Sequence, residues 1–226
     1  MNEMIDNIVA AIVAAIDEDT NRLIGGGSMI PLSLFGSRGS RYLKGVNAKA
    51  RKFRVPVRWF DCPLPIHFHE GFFIVDKEEL QIEDWDGPAA YDLDNLFFPG
   101  LSCTAMACGT ILDAMGPIAG KNVCIIGRGH AVKGLADALV AADATVTICH
   151  SKTKSLLDAT YNADVIVNAA PGTHPLYDIT KSVGSVVLDI SGSLEAWKGS
   201  GLLTYVGPQE IGRLNTALTL NRFALR

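Results

Sequence analysis

The chain has 226 residues, of which 20 are Lys or Arg and 24 are Asp or Glu, so its formal net charge is -4 at pH 7. This balance argues against a nucleic-acid-binding protein, because neutralising phosphates requires a surplus of Lys and Arg. Hydrophobic residues make up 48% of the chain and charged residues 19%, which excludes a disordered protein. The early apolar stretch 8–16 is too short to cross a bilayer, so we expect neither a membrane span nor membrane binding.

The cysteines predict a reducing compartment. Their number is odd, no two form a C-x-x-C pair, and most lie in apolar runs, where a free thiol behaves as a small hydrophobic group. The five are Cys62, Cys103, Cys108, Cys124 and Cys149. We therefore expect a cytoplasmic protein, with Cys103 and Cys108 packed in a core.

The first half of the chain predicts helices and short strands in alternation. Apolar residues at helical spacing between Ile5 and Ile16 indicate an amphipathic helix. A strand is predicted in 29–35 and another in 55–60, and each contains a proline that weakens the pattern. Between them, 42–53 has a basic helical pattern, and a further helix is predicted over 101–115.

The second half predicts a parallel α/β sheet, because strands and helices alternate at short spacing. The predicted strands are 122–127, 145–149, 164–169 and 185–190, with helices over 131–142 and 156–162. The glycines between Gly116 and Gly120 mark the best candidate for a domain boundary.

A glycine-rich loop runs from Gly127 to Gly134, directly between a predicted strand and a predicted helix. Glycines in this position allow a tight turn and a close approach of the backbone to a dinucleotide pyrophosphate. The third position of the G-x-G-x-x-G pattern holds Val132, so an ordinary glycine turn of an α/β protein stays an alternative.

The end of the second strand of this unit predicts the cofactor. An NAD-binding domain usually carries Asp or Glu there to hold the ribose 2′-hydroxyl. Here the segment Cys149–Thr153 (CHSKT) has no carboxylate, whereas a hydroxyl, an imidazole and Arg128 favour a 2′-phosphate. We therefore predict NADP rather than NAD. An alternative for Ser151, compatible with this role, is that it caps the following helix.

These segments resemble the methylenetetrahydrofolate dehydrogenase/cyclohydrolase (FolD) family. Three segments match the family's cofactor domain in order and spacing: Gly120–Arg128, 144–153 (ATVTICHSKT) and 163–167. The match over 144–153 is the most specific. Upstream, 63–65 is similar to the end of the family's QLPLP motif, Asp84–Gly87 to its DVDG motif and Ser102–Thr104 to its PCTP turn. Downstream, 208–212 and 217–221 are similar to its final glycine-rich loop and helix. Against a typical member, the chain is short between Val55 and Pro63 and again after Ile190.

The resemblance implies a two-domain α/β fold. A Rossmann-type domain with a parallel sheet, here 116–211, would bind NADP. A smaller α/β catalytic domain, here 1–115 completed by a C-terminal helix over about 212–226, would bind folate. The family is commonly a homodimer formed through the sheets of the cofactor domains, and a homodimer is the expectation here too.

The resemblance also implies site residues in the catalytic domain. A Tyr-x-x-x-Lys helix supplies the family's catalytic pair; Tyr42 fits the tyrosine, but the lysine position is Val46, which cannot transfer a proton. Lys49 lies two turns from Tyr42 and is the candidate replacement. The alternative is that Lys44, Lys49 and Lys52 are all solvated surface charges. Asp61 occupies the position of the glutamine that supports the lysine. The substrate-binding residues that the resemblance implies are Tyr42, Pro63, Leu64, Pro65, Asp86 (the pterin aspartate) and Gly212.

The predicted cofactor-binding residues are Gly127, Arg128, Gly129, His150, Ser151, Thr153, Ala170 and Gly192. No metal site is predicted, since His67, His69 and Glu70 lack a second cluster of ligands. The expected activity is NADP-dependent oxidation of 5,10-methylenetetrahydrofolate, with cyclohydrolase activity put in doubt by Val46 and Asp61. Two alternatives stay open: a homologue that binds NADP or folate with little or no turnover, and a different two-domain Rossmann dehydrogenase of the shikimate type.

Overall fold

The computed structural model describes residues 2–25, 32–35, 38–60, 72–75, 101–172, 184–195 and 203–224. The chain forms two compact units. The larger consists of 1–11 and 100–215, and the smaller of 12–99 and 216–226. The N-terminal helix α1 (Asn2–Ile24) and the C-terminal helix α6 (Pro208–Ala224) each contribute residues to both units.

The smaller unit contains a parallel three-stranded sheet. Its strands are β1 (Leu32–Phe35), β2 (Val57–Phe60) and β3 (Phe72–Val75), in the order β2-β1-β3. Helix α2 (Arg41–Lys52) follows β1 along the chain. It begins at Ser40, whose hydroxyl accepts a hydrogen bond from the Leu43 N–H at 3.1 Å. The core of this unit consists of Leu32, Leu34, Leu43, Val46, Ala50, Phe53, Val55 and Leu220.

The larger unit contains a five-stranded parallel sheet in the order β5-β4-β6-β7-β8. The strands are β4 (Asn122–Ile126), β5 (Thr145–Cys149), β6 (Val165–Asn168), β7 (Val186–Asp189) and β8 (Thr204–Val206). The helices of this unit include α3 (Cys103–Met115), α4 (Leu135–Ala141) and α5 (Leu156–Tyr161). The α/β fold with a Rossmann-type parallel sheet is confirmed.

Three element predictions needed correction in the larger unit. The helix predicted over 131–142 begins only at Leu135, because a 3₁₀ turn at His130–Val132 and the left-handed Gly134 (φ 79°) precede it. Strand β8 was not predicted, since three residues give almost no periodic signal. The C-terminal helix begins at Pro208 rather than near residue 212, with the proline in the first helical position where its missing N–H costs nothing.

The compact units and the predicted domains divide the ends of α1 and α6 differently. Among the described elements, one whole helix also changes sides. Helix α3, predicted to belong to the catalytic domain, lies in the larger unit with the five-stranded sheet. Cys103 and Cys108 are buried on this helix, as predicted. The functional boundaries 1–115 with 212–226 and 116–211 stay a prediction.

Candidate functional site

The carboxyl ends of β4 and β5 bring two predicted cofactor segments together. Ile126 and Cys149 are register partners, and the Gly127 N–H donates a 2.8 Å hydrogen bond to the Cys149 carbonyl. The residues that follow these strands, Gly127 and His150, therefore emerge side by side at one edge of the sheet, and Arg128 comes next along the chain after Gly127. Ligands bind at this edge in open parallel sheets.

Gly127 cannot be replaced without strain. Its φ is 105°, a left-handed conformation that favours glycine. A Cβ atom here would lie 3.2 Å from the backbone of both Ala169 and Ala170. The glycine thus lets the loop after β4 pass close to the chain that leaves β6, which contains the predicted cofactor residue Ala170. A Cβ atom on Gly129 would have no atom of the described residues within 4 Å.

A tight turn fixes the segment after β5. The His150 N–H donates to the Thr153 hydroxyl at 2.9 Å, and the Thr153 N–H donates back to the His150 carbonyl at 2.8 Å. The His150 Nδ1 atom accepts from the Lys152 N–H at 3.1 Å. Ser151 lies exposed at the tip of this turn. It does not cap the next helix: Ser155 does so, accepting from the Asp158 N–H at 3.1 Å.

Ser102 anchors the glycine-rich loop, a role that the sequence did not indicate. Its hydroxyl caps α3 by accepting from the Ala105 N–H at 3.0 Å and donates to the Ala131 carbonyl at 2.9 Å. Its own N–H donates to the Lys133 carbonyl at 3.0 Å. The PCTP-like turn is therefore bound to the loop between Gly127 and Gly134. The turn at Ser102 and the glycine-rich loop are far apart in the sequence, and no local pattern predicts their contact.

A second set of polar residues, also missed from the sequence, lies at the carboxyl ends of β6, β7 and β8. It consists of Asn168, Asp189, Ser191, Ser193 and Tyr205, and is called the Asn168 cluster below. Burial, together with the hydrogen bond to Asp189 and the charge of that carboxylate, raises the pKa of the Tyr205 phenol above its ordinary value. The predicted cofactor residue Gly192 lies in the loop that this cluster holds. The sequence signal that could have indicated this cluster is a polar residue at the end of two otherwise apolar strands, Asn168 in β6 and Asp189 in β7.

In the smaller unit, the structure gives Val46 and Lys49 definite surroundings. Val46 is completely buried in the core of that unit. The Lys49 ammonium lies 2.7 Å from Asp17 Oδ1 of α1, and both side chains are largely buried, with 13% and 14% exposed. At this distance the two opposite charges attract each other strongly. The backbone of Tyr42 lies in the first turn of α2.

Several predicted site residues lie outside the described residues. These are Asp61, Pro63, Leu64, Pro65 and Asp86, together with His67, His69 and Glu70. Gly212, predicted from a loop, lies within α6. Among the described side chains, no group of three His, Cys, Asp or Glu could hold a metal ion. None of the described helices combines the length and apolar character needed to cross a membrane.

Comparison with known proteins identifies the same family as the sequence motifs. Residues 102–207 match the family model of the tetrahydrofolate dehydrogenase/cyclohydrolase NAD(P)-binding domain. The bifunctional protein FolD of Thermosipho africanus is 36% identical over 218 residues, which cover 79% of this chain and 80% of that protein.

Solved structures share the fold at low sequence identity. The FolD enzyme of Campylobacter jejuni superposes with a TM-score of 0.73 at 20% identity, covering 97% of this chain and 95% of that one. The Trypanosoma brucei FolD, complexed with NADP cofactor and inhibitor, gives a TM-score of 0.70 at 18% identity, covering 95% and 94%. The resemblance seen in the sequence is confirmed. With a relative this similar over four-fifths of its length, the chain belongs to the methylenetetrahydrofolate dehydrogenase/cyclohydrolase (FolD) family.

Proposed function

We propose that this protein is an NADP-dependent 5,10-methylenetetrahydrofolate dehydrogenase. In the reaction, the methylene carbon loses a hydride, with its two electrons, and becomes the methenyl carbon of the product. NADP, when bound, supplies the hydride acceptor. No side chain has to give or take a proton in this step, so the protein's part is to bind and orient the two reactants.

The observation that carries this proposal is the edge of the sheet at the ends of β4 and β5. There the Gly127 turn and the His150–Thr153 turn are joined by a backbone hydrogen bond and rigidly built. Among the residues that the structure describes, nothing blocks the approach of a phosphate to the backbone at Gly129. Arg128 offers a cation, His150 an imidazole, and Ser151 and Thr153 hydroxyl groups, with no carboxylate among them, so these residues fit a 2′-phosphate and favour NADP.

Cyclohydrolase activity has less support. The family's lysine position is Val46, which lies in an apolar core and carries no proton. Lys49 stays the predicted replacement for that lysine, beside the other predicted catalytic residues Tyr42 and Asp61, but its ammonium forms an ion pair with the Asp17 carboxylate, 2.7 Å away. We therefore propose that oxidation of methylenetetrahydrofolate is the main activity.

The test is direct. Purified protein is mixed with methylenetetrahydrofolate and either NADP or NAD, and the absorbances of reduced nicotinamide and of methenyltetrahydrofolate are followed separately. We expect reduction of NADP with accumulation of the methenyl product, since its hydrolysis is slow without the lysine. Tight binding of NADP by calorimetry without any reduction would instead support the alternative of a binding homologue. Membership of the FolD family leaves the shikimate-type dehydrogenase without support.

We also propose a homodimer formed through the edge strand β5. This strand ends the five-stranded sheet, and it and the neighbouring helices α4 and α5 carry large apolar side chains exposed by 43–58%: Val140, Ile148, Leu157 and Tyr161. An exposed edge with apolar residues is a ready site for a second copy. Light scattering should give twice the chain mass, and Ile148→Lys should halve it; a wild-type monomer at micromolar concentration would exclude this interface.

A cytoplasmic location is proposed from the cysteines. Cys124 and Cys149 lie on adjacent strands with their sulfurs 3.7 Å apart and remain free thiols. Such a pair persists where the surroundings are reducing. Fractionation of the source cells, with the protein found only in the cytoplasmic fraction, is the expected result.

A further inference from the structure

The Asn168 cluster lies where three parallel strands end. Asn168 and Asp189 are register partners on β6 and β7, both completely buried, and Tyr205 follows on β8. The side chains thus lie at the same edge of the sheet as the Gly127 and His150 turns. Between β5 and β7 are three strand spacings, roughly 14 Å. An extended dinucleotide held at β4 and β5 reaches this far along the edge.

Asp189 organises the loop that follows β7. Its Oδ1 accepts from Asn168 Nδ2 at 3.0 Å, Ser191 Oγ at 3.1 Å and the Gly192 N–H at 3.0 Å. Its Oδ2 accepts from the Leu194 N–H at 2.8 Å and the Tyr205 hydroxyl at 2.9 Å. Five donors compensate the buried carboxylate, and no cationic side chain of the described residues forms an ion pair with it. Two of them are backbone N–H groups of the loop, so the carboxylate fixes its course.

The loop has little freedom to adopt another shape. Gly192 has φ 76°, and a Cβ atom there would lie 3.2 Å from Pro208 Cγ, at the start of α6. The loop therefore lies between the Asp189 carboxylate on one side and Pro208 on the other. Gly192 is also one of the residues that the sequence assigned to the cofactor. A small displacement of Asp189 would move this glycine directly.

Asn168 is the unusual member. Its Nδ2 lies 3.0 Å from Asp189 Oδ1 and 2.8 Å from each of the hydroxyls of Ser191 and Ser193, three contacts for two hydrogens. Its Oδ1 is buried and, among the described residues, without a hydrogen-bond partner. Exchanging the two amide atoms would place two oxygens 3.0 Å apart, so the orientation is determined.

The unpaired oxygen argues against a purely stabilising role. A buried acceptor without a partner lowers stability, and an apolar residue at this position would avoid that cost. Asn168 donates hydrogen bonds to the loop while its own oxygen stays unpaired. Such a local cost is typical of functional sites, where the position of a group matters more than stability.

We propose that Asn168 is a positioning residue for hydride transfer: through Asp189 it sets the loop 190–195 that receives the nicotinamide end of the cofactor. This inference rests on the proposed dehydrogenase function. We expect most of the affinity for the cofactor to come from phosphate contacts at the Arg128 and His150 end of the sheet. Loosening the loop should therefore lower the rate of hydride transfer and leave the cofactor bound.

The experiment compares Asn168→Ala with Ser185→Ala. Ser185 is buried just before β7, at the amino-terminal edge of the sheet, whereas Asn168 lies at the carboxyl-terminal edge. The Ser185 hydroxyl donates to the Ala163 carbonyl at 2.8 Å. Both variants lose buried hydrogen bonds, but only the first loses them at the ligand edge. We expect Asn168→Ala to lower kcat about 10- to 100-fold, as misplacement of reacting groups does, with the NADP dissociation constant within about twofold of wild type. Ser185→Ala should keep kcat within about twofold.

A milder variant covers the case in which Asn168→Ala does not fold. Asn168→Ser keeps one donor toward Asp189, and we expect a loss in kcat between those of wild type and alanine. Equal kcat in all variants, or a loss explained wholly by weaker NADP binding, would overturn the proposal.

Fluorescence of bound NADPH separates this inference from the proposed function. If the wild type turns out not to oxidise methylenetetrahydrofolate, the nicotinamide emission of bound NADPH still reports its surroundings. A change in that emission in Asn168→Ala, absent in Ser185→Ala, would support the positioning role even then. Identical emission in both variants would contradict it.

Discussion

Lys49 of α2 and Asp17 of α1 form an ion pair in which the ammonium and carboxylate lie 2.7 Å apart and both side chains are largely buried. Lys52 lies 3.1 Å from the other oxygen of the same carboxylate but is 65% exposed. Asp17 thus forms ion pairs with two lysines of very different burial. This allows a matched comparison of what each pair contributes to stability.

Replacing Lys49 should destabilise the protein more than replacing Lys52. Lys49→Met leaves Asp17 buried with only a solvent-screened partner, so we expect a loss of about 1–3 kcal/mol in the free energy of unfolding. Lys52→Met should cost about 0–1 kcal/mol, as exposed pairs do. Urea unfolding followed by circular dichroism measures both.

The same two variants test the catalytic role predicted for Lys49. If Lys49 transfers the proton in methenyl hydrolysis, Lys49→Met will abolish that activity while Lys52→Met keeps it. Equal hydrolysis rates in folded samples of both variants would leave Lys49 as a structural residue.

A lysine at position 46 should not fit. Val46 packs among Leu43, Ala50 and Leu220 with no exposed surface, and a buried ammonium without a partner is costly. We expect Val46→Lys to lose more than about 3 kcal/mol of stability. Ala48→Lys, on the exposed face of the same helix, should change it by less than about 0.5 kcal/mol. A stable Val46→Lys variant that hydrolyses methenyltetrahydrofolate would contradict the buried placement.

A carboxylate at Ser151 should shift the cofactor preference from NADP toward NAD. It would repel the 2′-phosphate of NADP and accept hydrogen bonds from the ribose of NAD. We expect Ser151→Asp to lower the ratio of kcat/KM for NADP to that for NAD at least about tenfold. Ser155→Asp is the control, because aspartate caps α5 as well as serine does while adding the same charge. An unchanged ratio in Ser151→Asp would place the phosphate elsewhere.

Stability should fall at alkaline pH because of buried thiols. Burial raises the pKa of Cys108 from 9.0 to about 12, and burial with the neighbouring Cys149 raises that of Cys124 likewise to about 12. Between pH 9 and 12 the folded state keeps protons that the unfolded state has released, so these groups stabilise fully below pH 9 and their contribution is lost as pH rises.

Unfolding measured at several pH values checks this directly. Cys108→Ala should flatten the alkaline slope of the free energy of unfolding. Ile111→Val, buried on the same helix α3, should lower stability equally at every pH. Parallel slopes for wild type and Cys108→Ala would exclude the thiol as the cause.

The sequence determined those features that depend on neighbours along the chain. The apolar runs ending in Gly127 and Cys149 predicted β4 and β5, and parallel strands bring their carboxyl ends to one edge, so the Gly127 and His150 turns could be assigned to one site. The motif around 144–153 sufficed to indicate the family. The start of α4 was wrong because Gly134 interrupts a pattern that otherwise continues.

The contacts between polar groups depend on the packing of the elements and could not be read from the sequence. Ser102 and Ala131 lie 29 positions apart and Asn168 and Asp189 21 apart, and nothing in local periodicity links such pairs. Likewise, helical spacing put Tyr42 and Lys49 on related faces, but the partner of Lys49 comes from α1, 32 positions earlier in the chain. Periodicity along the sequence predicts which residues face a core. The contacts across that core depend on how the elements pack, and packing is a property of the whole chain.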